Sequence, residues 1–68
     1  MNWLKKRQIE SGLRPGTYAR MIGIDRRHFE YLAEPGHLPG AKTVEKIAEN
    51  LGIDPVELWR EVMPSPDG

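Results

Sequence analysis

Apolar residues recur along this chain at helical rather than strand intervals. The cleanest case is Val44, Ile47, Ala48 and Leu51, at i, i+3, i+4 and i+7. That spacing puts one buried face on a helix from about Ala41 to Leu51. Lys42, Glu45, Lys46 and Glu49 cover its outer side, where each oppositely charged neighbour adds only about 0.2–0.5 kcal/mol. Gly52 closes this helix. Asp54-Pro55-Val56-Glu57 then opens another: aspartate caps, proline fits the first helical position, and Glu57 is placed to complete a capping box. This last helix runs to about Met63, with Leu58 and Val62 inward and Trp59 inward or partly so. Pro64 stops it.

The first half carries three shorter patterns. Asn2 is placed to cap a helix through about Ser11, with Leu4, Ile9 and nearby Trp3 as a thin apolar stripe. Gly12 ends it and Leu13 packs inward. Pro15 suits the first turn of a second helix, on which Tyr18, Ala19 and Ile22 share a face. Gly23 follows where a left-handed residue is expected, and Ile24 folds back on the helix. Asp25 caps a third helix, from about Arg26 to Leu32 or Ala33. Phe29 and Leu32 point inward, leaving Arg26, Arg27, His28, Glu30 and Tyr31 outside. Residues 33–40, AEPGHLPG, hold two prolines and two glycines and read as a loop.

The elements add up to an all-α, compact five-helix domain over residues 1–63, with residues 64–68 as a short disordered tail. The expected core is Ile22, Ile24, Phe29, Leu32, Val44, Ile47, Leu51, Ile53 and Leu58. A chain of 68 residues makes one domain at most. It buries only about 60% of the surface exposed on unfolding, so the core is modest. There is no cysteine, so neither disulfides nor thiolate zinc ligands help. No apolar run is long enough to span a membrane, and no apolar h-region follows the basic N-terminus. The expected compartment is the cytoplasm, or the nucleoid for a DNA-binding protein.

Charge changes the picture in its distribution. The net charge is zero, which argues against an indiscriminate polyanion binder. Residues 1–31 carry seven basic side chains against three acidic, or +4, and residues 32–68 carry three against seven, or −4. The basic half contains the Pro15–Leu32 pair of helices. Two helices joined by so short a turn cross steeply, at about 90–120°. Small Ala19 permits the crossing, Gly23 the reversal. A locked crossing projects the second helix rigidly. The plainer alternative is an ordinary helical hairpin with a solvated basic end.

In this order and spacing the motifs resemble the phage-repressor/Cro type of helix-turn-helix domain, also called the xenobiotic-response-element type. The carriers are Gly12-Leu13, Tyr18-Ala19, the IGID of Ile22 to Asp25, the G-x-x-P of Gly36 to Pro39, and IAENLGIDPVEL from Ile47 to Leu58. They cover roughly Leu4 to Val62. The resemblance implies a lambda-repressor-like bundle whose helices 2 and 3 form the helix-turn-helix, and places the recognition helix at Asp25–Leu32. Arg26, Arg27 and Tyr31 match the positions that meet base edges. Arginine can donate two hydrogen bonds to guanine O6 and N7, and Tyr31 can touch a thymine methyl or a phosphate. His28 either reaches a phosphate or is unemployed. Backbone contacts map to Arg14, Gly16, Thr17, Gly36 and His37, with Lys42 and Thr43 as further candidates; such contacts set register and carry no sequence information.

The chain departs from that family at several points. Pro15 stands where glutamine is frequent. Gln8 and Ala33 stand where an arginine–glutamate pair is frequent. Pro35 lengthens the turn after the recognition helix by about one residue. Glu30 either accepts from a cytosine amino group or faces away.

The implied function is a sequence-specific, double-stranded DNA-binding transcriptional regulator, of repressor type, with no ligand-sensing domain or small-molecule ligand. Family members usually bind palindromes as dimers. Trp59, Val62 and Met63 are the candidate homodimer patch, or else they finish the monomer core. The competing class is a protein-interaction module of the same fold, favoured by the zero net charge and Glu30. An enzyme is a poor reading. There is no thiol, His28 and His37 lie nine residues apart across a helix end, and no Gly-rich phosphate loop is present. No metal or cofactor is expected.

Overall fold

A computed structural model describes residues 2–63; the polar tail expected at 64–68 lies outside the described residues. Five helices follow in order: α1 Trp3–Ser11, α2 Pro15–Ile22, α3 Arg26–Ala33, α4 Ala41–Leu51 and α5 Pro55–Val62. No strand occurs among the described residues. No helix there is long and apolar enough to cross a membrane.

The helix boundaries follow from capping chemistry. The Asn2 carboxamide oxygen accepts from Leu4 N–H at 2.7 Å and Lys5 N–H at 3.3 Å. Asp25 accepts from His28 N–H at 2.6 Å, and Asp54 from Val56 N–H at 2.8 Å. Each satisfies donors that a helix start leaves without a partner. Asp54 accepts from the N–H of Val56 rather than of Glu57, and Glu57 adds no bond back to Asp54 among the described residues, so the anticipated capping box does not form. Proline at the first position of α5 fixes that turn, and the Asp54 cap alone suffices.

At the other ends, Gly23 (φ 88°) and Gly52 (φ 71°) adopt left-handed conformations that alanine would adopt only at a cost. After Gly23, the Ile24 N–H donates to Ala19 O at 3.0 Å and the Gly23 N–H to Arg20 O at 3.1 Å. The same pair of bonds recurs after α4, from Ile53 to Ala48 and from Gly52 to Glu49. These are Schellman closures, which fold the following isoleucine back over its helix. Buried Ile24 and partly buried Ile53 are the result.

The core lies around α2, which packs on α3 and α4, while α1 packs on α2, α3 and α5, and α5 on α4. Leu4, Ala19, Ile22, Val44, Ile47, Ala48 and Leu58 are wholly enclosed, and Tyr18, Phe29 and Leu32 nearly so. Tyr18 and Phe29 meet edge to face, with ring centroids 6.3 Å apart, and so tie α2 to α3. Leu51 and Ile53 are only partly buried against this cluster. Trp3 and Val62 join it.

Two expectations need correction on α1 and α4. Ile9 is 51% exposed, whereas Gln8 is buried. Leu4 and Gln8 are one helical turn apart and share the inward face; Ile9 is rotated out of it. Glutamine is tolerated there because its Nε2 donates to the Leu13 carbonyl. Ser11 Oγ donates to Gln8 O at 2.6 Å and accepts from Leu13 N–H at 3.1 Å, completing the turn. On α4, no Lys–Glu ion pair forms among the described residues. The exposed bidentate pair instead joins α1 to α5: Arg7 Nη2 lies 2.7 Å from Glu61 Oε2, with Nε donating to both carboxylate oxygens. The carboxylate raises the Arg7 guanidinium further above its ordinary range, chiefly through those bonds.

Candidate nucleic-acid interface

Gly23 and Asn50 fix how α3 sits on α2. The Asn50 side-chain amide donates to Ile22 O at 2.9 Å, so α4 holds the last carbonyl of α2. A Cβ on Gly23 would come within 2.5 Å of that Asn50 nitrogen. The turn is therefore held by backbone conformation and by close approach together. Phe29 and Leu32 anchor the inner face of α3. Its opposite face is left to solvent: Arg26, Arg27, Glu30 and Tyr31 are exposed and His28 half-buried.

Arg26 and Arg27 open α3 side by side. Arg27 has no hydrogen-bond or ion-pair partner among the described residues. Arg26 donates from Nε to Glu30 Oε1 at 3.2 Å, one turn along, with both side chains exposed. Its Cδ also lies 3.8 Å from where a Gly16 side chain would begin. The stem of Arg26 therefore rests over the first turn of α2, bringing Gly16 next to the start of α3. Thr17 and Arg14 are exposed in the same first turn, and Arg14 makes no side-chain cap. The Gly16 and Thr17 N–H groups, at the positive end of the α2 dipole, make no backbone hydrogen bond among the described residues.

The far end of α3 holds a second grouping. Tyr31 stacks on His37, ring centroids 4.0 Å apart and planes 9° from parallel. His37 Nδ1 lies 2.8 Å from Tyr31 O and 3.4 Å from Glu34 Oε2. A base reader and a phosphate contact expected separately are thus brought into one unit. Gly36 is exposed beside it, with φ 86°. In the first turn of α4, Lys42 is exposed and Thr43 half-buried.

Other sequence candidates divide. Val62 is 5% exposed and belongs to the monomer core; Trp59 packs partly against it, and only Met63 is well exposed. An open cleft of about 360 Å³ lies between the start of α1, the loop after α3 and the end of α5, lined by Asn2, Trp3, His37, Leu38, Glu61 and Val62 among others. Sequence reasoning missed two links to α3. Asn2 Nδ2 donates to Leu32 O at 3.0 Å, so the residue that caps α1 also ties down the end of α3. Glu30 pairs with Arg26 rather than standing alone; the i, i+4 spacing was the available signal. Among the described residues no group of three or more His, Cys, Asp or Glu could hold a metal ion. No protein-family model, curated protein or solved structure matches the chain, so the meaning of this surface rests on its own residues.

Proposed function

We propose that this domain is a sequence-specific double-stranded DNA-binding regulator of lambda-repressor-like helix-turn-helix type, with α3 as the recognition helix in the major groove. The observation that carries the reading is the outer face of α3: two adjacent exposed arginines at the start of a helix whose inner face is anchored by Phe29 and Leu32. An anchored helix can hold arginine forks against guanine edges. The first turn of α2, with Arg14, Gly16 and Thr17, offers N–H groups without a backbone partner among the described residues, and a cation, for the phosphate backbone next to it. His28, Gly36, His37, Lys42 and Thr43 are the further backbone contacts in this reading, and Tyr31 a third base contact.

A homodimer on a palindromic site extends the reading. Half-sites recur about every 34–36 Å, and the domain is 33 Å in its longest dimension. Because Val62 is occupied in the core, the dimer patch reduces to Met63 and the outer part of Trp59. The proposed compartment is that of the DNA, the bacterial or phage-infected cytoplasm.

The test is a titration of random-sequence duplex DNA at several salt concentrations, with wild type and an Arg26→Ala/Arg27→Ala variant. Binding that weakens with salt and is lowered in the variant is expected. A folded wild type that binds no duplex even at low salt overturns the proposal. That outcome turns the exposed Tyr31 and Leu38 into the contacts of a protein-interaction module.

A further inference from the structure

Glu30 is an acidic residue in the middle of a face that would meet DNA, and simple charge complementarity does not account for it. The geometry around Arg26 does. The Arg26 stem passes alongside the first turn of α2, its Cδ 3.8 Å from where a Cβ on Gly16 would stand, and its Nε is held by Glu30 Oε1. Both terminal nitrogens, Nη1 and Nη2, have no partner among the described residues. An exposed arginine otherwise spreads over many rotamers, and ordering it on binding costs free energy. Here Glu30, one turn along the same helix, restricts that freedom before DNA arrives.

We propose that Glu30 is a positioning residue for sequence discrimination: it holds Arg26 by its Nε so that the two terminal nitrogens meet a guanine in one fixed register. This rests on the DNA-binding reading above and deepens it. It divides the two arginines. Arg26 is braced and reads one base pair with high discrimination. Arg27 is unbraced and contributes affinity with less selectivity.

The carboxylate has a second effect of opposite sign. It lies on the surface facing the phosphates and repels them, which weakens binding to every sequence alike. A residue that lowers general affinity while sharpening one position raises the ratio of specific to non-specific binding, the quantity that counts among many competing sites. A carboxylate that merely supported the helix would also repel phosphates but would not sharpen one position.

The experiment begins with selection of a preferred duplex by wild type. Fluorescence anisotropy then measures affinity for that duplex, for each of its single-base-pair variants, and for random duplex, with wild type, Arg26→Ala, Arg27→Ala and Glu30→Ala. Circular dichroism melting checks that each variant is folded. A bidentate arginine–guanine contact discriminates by roughly 5- to 150-fold. Arg26→Ala is expected to flatten preference at one base pair. Glu30→Ala should flatten the same base pair by about twofold, while binding random duplex as tightly as wild type or more tightly. Arg27→Ala should leave that base pair selective. Unchanged discrimination in Glu30→Ala overturns the proposal. So does flattening at a different base pair, which would make Glu30 a direct reader of a base. Uniform weakening by Arg26→Ala across all sequences also overturns it, by making Arg26 a phosphate contact. A wild type that binds no duplex removes the DNA-binding reading itself, and this inference with it.

Discussion

Replacing Gly23 with alanine tests how the α2–α3 junction is held. Two costs are legible. The backbone is left-handed at φ 88°, which costs an alanine about 1–2 kcal/mol. The new Cβ would also stand 2.5 Å from Asn50 Nδ2, so Asn50 must withdraw and its bond to Ile22 O is lost. A hydrogen bond of that kind contributes about 0.5–1.5 kcal/mol. The expected total is about 2–3 kcal/mol, or a fall of about 10–20 °C in Tm for a domain of this size. Gly52→Ala is the internal control. Its φ is 71° and nothing among the described residues lies within 4 Å of an added Cβ, so only the backbone cost of about 1–2 kcal/mol applies. Urea denaturation of Gly23→Ala, Asn50→Ala and the double variant completes a cycle. In the Asn50→Ala background Gly23→Ala should cost about 1 kcal/mol less, beyond the scatter of about 0.3–0.5 kcal/mol for independent sites. Equal costs in both backgrounds would refute the close-approach argument and leave backbone conformation alone.

Three further outcomes follow from the same contacts. Asn2→Ala removes both the cap of α1 and the bond to Leu32, and should cost about 1–2 kcal/mol by chemical denaturation; Asn2→Asp keeps the cap, loses the donor to Leu32 and should cost less. Burial, opposed by the nearby Arg7 guanidinium, holds the Tyr18 phenol above its ordinary range. Stability from the neutral phenol is therefore present below its unfolded pKa of about 10 and lost as pH rises through the higher folded value. Tm should fall less steeply above pH about 10 in Tyr18→Phe than in wild type; parallel curves would remove Tyr18 from the alkaline transition. The Arg26→Ala/Arg27→Ala variant should melt within about 0.5 kcal/mol of wild type, since both side chains are exposed; a large loss of stability would mean that these arginines support the fold.

The helices were legible because their punctuation is local. Asn2, Asp25 and Asp54 cap, Pro15 and Pro55 start, and Gly23 and Gly52 stop, each acting on residues within a turn. The inward face of α4 followed from spacing alone. What escaped depends on partners far along the chain or on a polar residue used as packing. Gln8 reads as surface, yet the need to satisfy the Leu13 carbonyl draws it inward in place of Ile9. Asn2 reads as a cap, but its donor side finds Leu32, thirty residues away. Asn50 reads as one polar position on α4, and only the fold shows it reaching Ile22. On the candidate interface, the arginines and Tyr31 could be placed on the outer face of α3 from periodicity. The Tyr31–His37 stack could not, because it depends on how the loop after α3 turns back. The Arg26–Glu30 pair lies between these cases: its spacing is visible, but choosing that partner over solvent or a base is a tertiary matter.

The central claim is that the outer face of α3 is the DNA-reading surface, and a ¹⁵N-resolved NMR titration with a selected duplex tests it most directly. The account predicts perturbations concentrated at Arg26, Arg27 and Tyr31, with Gly16 and Thr17 at the start of α2 following them, and little change along α1 and α5. Perturbations confined to α1 and α5, or a duplex that leaves every α3 resonance in place, would contradict it.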